Sequence, residues 1–251
     1  MRLLAAAVGL CLIGSVAGVA VTSSLIFSPD RIRTRIVPWL VSYAVGALLG
    51  VALLGLLPEA LDRRNQGSTT AVFAELLVGI LLFFVLEKVL LYRHCHSDDC
   101  AVHGATAPLV FVGDAFHNFF DGAIIASAVM TSVPLGVNTA IAIAAHEIPQ
   151  EIGDVAILLA SGYSRGGVLM LNVATGASSI AGALVAYAAI SMVPSLGRIV
   201  LPFAAGSMLY IAMSDLIPDL HRGAIDRNGP RQVALIMAGI ATVAAFERVF
   251  G

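Results

Sequence analysis

Charge is what this 251-residue chain has least of. Only 12% of its residues are Asp, Glu, Lys or Arg, where a soluble globular domain carries about 25%. Hydrophobic residues make up 59% and the mean hydropathy is +0.93, so water is not the solvent for most of this surface. No polar stretch is long enough to fold as a separate domain. Residues 1–251 therefore read as one transmembrane domain in a lipid bilayer, and only helices satisfy the backbone of apolar runs this long. A formal net charge of −2 excludes a nucleic-acid partner, which requires a basic face. Cysteine is also scarce. Cys11, Cys95 and Cys100 cannot build a disulfide framework, and Cys11, inside an apolar run, reads as a small core residue.

Eight apolar stretches are present, at about 3–27, 36–57, 71–91, 108–131, 136–161, 167–190, 198–220 and 231–250. The first is too long for the apolar region of a signal peptide and reads as a span. The expected fold class is thus an all-α polytopic membrane protein with eight transmembrane helices. With the N-terminus outside, the inner segments hold nine Lys or Arg residues and the outer ones five. That bias places both termini outside the cytoplasm.

An internal repeat overlies these spans. Residues 46–59, GALLGVALLGLLPE, align without gaps to 206–219, GSMLYIAMSDLIPD, with five identities in 14 positions. The two stretches belong to spans two and seven, which run in opposite directions. The expectation is an inverted repeat of helices 1–3 and 6–8 around the central pair 4–5, an arrangement that puts a substrate site near the bilayer midplane.

Spans four and five hold nearly all the unusual polar residues: Asp114, His117, Asn118, Asp121, His146, Glu147, Gln150, Glu151 and Asp154. One charge at the centre of a membrane helix costs about 2.5–3.5 kcal/mol even on lenient scales. At roughly 100° per residue, the polar residues form one stripe on each helix, about 100° wide on the first and about 140° on the second. The link near Ser132–Leu135 permits only an antiparallel hairpin. Counted outward from it, Asp121 and His146 lie at one depth, and His117 and Gln150 lie level one turn further in. Neither span contains Lys or Arg, so the acids and imidazoles require a cation or protons. A metal site inside the membrane is one reading and a metal-free proton relay the other. Pro149 removes a backbone donor and frees the Ala145 carbonyl on the same stripe.

The run His146-Glu147-Ile148-Pro149-Gln150 invites comparison with the HExxH zinc motif of metalloproteases. Gln150 stands where the second histidine belongs and Pro149 lies inside the motif, which counts against a hydrolase. Residues 92–107 form an expected cytosolic loop whose His94, Cys95, His96, Cys100 and His103 offer thiolate and imidazole to a metal. Asp215, deep in span seven, joins Asp114 and Asp154 as a candidate pathway residue.

The stretches HNFFDGAIIASA and HEIPQEIGDVAILLASG closely resemble the fourth- and fifth-helix signatures, HNFxDG and HEIPHExGDFAIL, of the ZIP (Zrt-, Irt-like) metal transporters. Within that family the chain looks most like the branch with a His-rich cytosolic loop, and spans two and seven also look like that branch's. The resemblance implies eight spans, extracytoplasmic termini and movement of a divalent metal into the cytosol across a plasma (bacterial inner) membrane. It also implies a homodimer. The family's ligand positions fall on His117, Asn118, Asp121, His146, Glu147, Gln150 and Glu151. Gln150 departs from the pattern, and Ser178 and Ser179 stand in helix six where some relatives supply an acid. One well-occupied ion is expected on His117, Asp121, His146 and Glu151, with a weaker second position near Asn118 and Glu147. The N/O donor set suits Zn2+ as transported substrate and admits Fe2+, Mn2+ and Cd2+; no cofactor and no enzymatic activity are expected. The competing functions are a membrane-embedded hydrolase and a metal sensor that moves no ion.

Overall fold

The computed structural model describes residues 2–26, 28, 30–62, 68–92, 103–221 and 229–250. Among these residues the secondary structure is helical throughout. The helices are α1 (Arg2–Ile26), α2 (Asp30–Gly50), α3 (Leu57–Asp62), α4 (Thr69–Tyr92), α5 (His103–Thr131) and α6 (Val133–Ala160). They continue as α7 (Arg165–Met192), α8 (Leu196–Tyr210), α9 (Ile217–His221) and α10 (Gly229–Phe250). A π turn, Val51–Leu56, joins α2 to α3, and a second, Ile211–Leu216, joins α8 to α9. The described residues therefore form eight rods, and the chain is an all-α polytopic membrane protein. Six rods are long and apolar enough to cross a bilayer. The other two, α5 and α6, have 29 and 28 residues and carry the polar stripes.

Most helices begin a few residues before the apolar stretches. α5 begins at His103, five residues before the expected 108, so the expected loop 92–107 is shorter. His94, Cys95, His96 and Cys100 lie outside the described residues. A single residue, Ser132, separates α5 from α6 where a four-residue link was expected. Its hydroxyl accepts from Leu135 N at 3.2 Å and caps α6. A proline spans the interior of α6 as well: the helix runs unbroken through Pro149.

The repeat is visible in the packing. The two π turns lie at 51–56 and 211–216, the same offset of 160 residues as the sequence alignment. A Cβ on Gly46 would collide with the backbone carbonyl of Ile236, and one on Gly206 with that of Leu76. In the same way Gly239 lies against the Tyr43 carbonyl and Gly79 against that of Phe203. Each of these contacts maps onto its counterpart at the 160-residue offset. Close approach through glycine is how apolar helices gain dispersion contacts where no water drives association. Thus α2 packs on α10 as α8 packs on α4. A second group, α1, α5, α6 and α7, packs around the polar stripes.

Candidate metal site

The α5–α6 hairpin brings four ligating side chains together. His117 and Asp121 are one turn apart on α5, and His146 and Glu147 are neighbours on α6. One donor atom from each lies within 4.8 Å of all the others. The Nε2 atoms of His117 and His146 are 3.0 Å apart, and Asp121 Oδ2 is 3.4 Å and 3.3 Å from them. Two facing Nε2 atoms at that distance need a shared proton or a shared cation. The rings stand nearly perpendicular, at 86°.

The size of the triangle tests the fit. Its circumradius is about 1.9 Å, so a point about 2.0–2.1 Å from all three donors, the usual zinc bond length, exists about 0.8 Å above their plane. A regular tetrahedral site needs about 0.7 Å. Glu147 supplies a fourth oxygen. Burial makes the case stronger: Asp121 is 2% exposed, His146 1% and Glu147 8%. Asp121 Oδ2 and Glu147 Oε1 are buried without a hydrogen-bond donor, a costly condition unless a cation satisfies them. His146 Nδ1 faces the Ala142 carbonyl at 3.3 Å; a proton held there leaves Nε2 as the ligand. Phe83 of α4 sets an edge-on ring 6.2 Å from His117 and keeps that side apolar.

The remaining expected residues do not join the four. Glu151, expected as a main ligand, is buried but turned to α1, where Thr22 Oγ1 donates to its Oε2 at 2.7 Å. Glu147, one turn earlier on the same stripe, is the carboxylate whose oxygen comes within 4.8 Å of the other three donors. Asn118 is buried and donates through Nδ2 to Asp114 Oδ1 at 2.9 Å and to Asp114 O at 3.1 Å. Gln150 and Asp154 are half-buried, further along α6. Asp215 lies in the second π turn with an exposed side chain. His103 opens α5.

A narrow cleft beside the four residues is lined by Asn118, Asp121, Glu147, Cys11, Ser15 and Ser179, among others. Cys11 is buried, as a core residue would be, yet it also borders this cleft. Ser15 donates to the Gly176 carbonyl at 3.1 Å and stands 3.3 Å from Ser179 Oγ. Sequence reasoning missed the contribution of α1. The available signal was Ser15, Thr22 and the glycines in an otherwise apolar run.

Comparison with known proteins gives the family. The family model described as ZIP zinc transporter matches residues 93–247. The chain belongs to the ZIP zinc transporter family. It is 33% identical over 220 residues to "Zinc transporter ZIP13" of Pongo abelii, covering 83% of this chain and 66% of that protein. It is 30% identical over 259 residues to the Homo sapiens protein of the same name, covering 83% and 70%. With "Zinc transporter YKE4" of Saccharomyces cerevisiae it shares 28% over 244 residues, covering 83% and 70%. The chain thus spans about two thirds of the length of these relatives. As a ZIP protein it belongs among transporters, not enzymes. The matched region contains α5 to α9 in full, so the four converging side chains lie within it.

Proposed function

We propose that this ZIP protein carries zinc through a bilayer into the cytosol by way of the His117–Asp121–His146–Glu147 cluster. The observation that carries the reading is the zinc-sized triangle of donors with two buried carboxylate oxygens that no hydrogen bond satisfies. Two carboxylates and two neutral imidazoles around a divalent cation make a neutral unit. That removes most of the cost of holding two charges in a medium of low dielectric. Ligands of the N2O2 type hold zinc without thiolate's tenacity, so the ion can leave. Fe2+, Mn2+ and Cd2+ are substrates by the same chemistry.

The surrounding assignments follow. Eight spans cross the membrane, with α5 and α6 shielded by α1, α4 and α7. Both termini are extracytoplasmic, the membrane is the plasma (bacterial inner) membrane, and the protein works as a homodimer. A second ion position near Asn118 and Glu147 is weaker, because the neutral amide of Gln150 offers one good oxygen and no charge to offset a neighbouring cation. Asp114 and Asp154 line the route, and Asp215 is an accessory at its margin. His94, Cys95, His96, Cys100 and His103 collect metal on the cytosolic side. Uptake of radiolabelled zinc into proteoliposomes tests the proposal, with competition by the other three ions. A protein that binds zinc but moves none would be the sensor, and peptide cleavage by the purified protein would revive the hydrolase.

A further inference from the structure

Hydroxyls in this protein mostly bond back along their own helix. Ser24, Ser42, Ser127, Thr131, Thr139 and Thr242 each donate to the carbonyl four residues earlier, the ordinary way to hide a hydroxyl in an apolar helix. Thr22 does otherwise. It is fully buried, and its hydroxyl crosses from α1 to the Glu151 carboxylate, 2.7 Å away and 129 residues later in the chain. Gly18, one turn earlier on α1, leaves the room for that carboxylate: a Cβ there would stand 3.2 Å from Glu151 Oε1. One hydroxyl and one missing side chain therefore grip Glu151.

The grip holds the carboxylate off the cluster but close to it. Glu151 lies four residues beyond Glu147 on the same face of α6, about 6 Å along the axis, and Asp154 lies about 4.5 Å further. A buried carboxylate is expensive to keep, and this one is outside the group of four. We infer that Thr22 and Gly18 are positioning residues that hold Glu151 as the carboxylate receiving the cation when it leaves His117, Asp121, His146 and Glu147. The step is a ligand exchange: the ion trades a cluster oxygen for a Glu151 oxygen and no covalent bond changes. If Glu151 stood in the cluster, the ion would gain a fifth ligand and lose its next stop. The inference rests on the transport reading.

The test compares zinc uptake by proteoliposomes containing Thr22→Val, Thr22→Ser, Gly18→Ala and Glu151→Gln. Val keeps the shape and deletes the donor, and Ser keeps the donor. Thr22→Val is expected to lower kcat about tenfold with KM moved less than about twofold, the size expected for a hydrogen bond to a charged group. Thr22→Ser should retain the unmodified rate. Glu151→Gln should lose a similar factor, and the Thr22→Val/Glu151→Gln double variant should lose no more than either alone. Gly18→Ala should fall in kcat as well, and it decides the matter alone if Thr22→Val fails to reach the membrane. Unmodified turnover in Thr22→Val or Gly18→Ala, a loss confined to KM, or additive losses in the double variant would each overturn the inference. Absence of uptake by the unmodified protein would sink the transport reading first, before any variant is compared.

Discussion

All five Asp, Glu and His side chains buried among the described residues sit on α5 or α6: Asp114, Asp121, His146, Glu147 and Glu151. The two rods interrupted by π turns are the opposite case. Among the described side chains, residues 30–62 bury Ser42 as their one polar residue, and residues 196–221 bury Ser207. Those rods carry irregular backbone in apolar surroundings, whereas the central pair carries polar side chains on continuous α-helix. The difference teaches where each cost can be met. Buried carboxylates are tolerable where a cation satisfies them, and they need a rigid backbone to hold ligand distances to a few tenths of an ångström. A π turn leaves one residue's worth of hydrogen bonding out of register.

Substitutions can break that contrast. The largest effect is expected from His146→Ala and Asp121→Ala, each of which should cut zinc uptake more than about 100-fold, in line with loss of a metal ligand, with the protein still assembled in the membrane. Unchanged kinetics in both would move the path away from the pair. A sharper division is expected between the two glutamates. Glu147→Gln should weaken zinc binding, measured against a chelator, by about 10- to 100-fold. Glu151→Gln should change that affinity far less and act on turnover. Equal loss of affinity in both would put Glu151 back among the ligands.

The apolar rods should respond through stability. Gly79→Ala and Gly239→Ala each force a Cβ onto a carbonyl of the facing helix and should cost about 1–3 kcal/mol. Thermal unfolding should show matching losses at the two repeat-related positions; a loss at one alone would deny the equivalence of the halves. The smallest effect is expected at Ser132→Ala, which deletes the cap at the start of α6 and should cost about 1 kcal/mol without altering the zinc KM.

Much of this was legible from composition and spacing, and the rest was hidden for physical reasons. Helix count and the polar stripes follow from apolar length and the 3.6-residue period, so the convergence of His117, Asp121 and His146 needed no coordinates. The choice between Glu147 and Glu151 was not legible. Both lie on one stripe, and Glu151's bond is to Thr22, a residue on another helix with no local mark. The repeat was visible at 46–59 and 206–219, where several residues match. Its extension to Gly79 and Gly239 rests on one small residue in each half, invisible without the carbonyl each one meets. π turns have no composition signal of their own, since apolar residues serve them and α-helix alike. Ser132 as the whole link was missed because Val133 and Pro134 belong to the first turn of α6, where proline's missing N–H has no partner to lose.

The central claim is that a divalent cation sits among His117, Asp121, His146 and Glu147. Anomalous diffraction at the zinc edge, on the zinc-loaded protein, tests it most directly. The account predicts one strong peak about 2.0–2.2 Å from the two Nε2 atoms and from one oxygen of each carboxylate, with Glu151 still on Thr22. A strong peak on Glu151, two fully occupied zinc ions, or none at the four residues would contradict it.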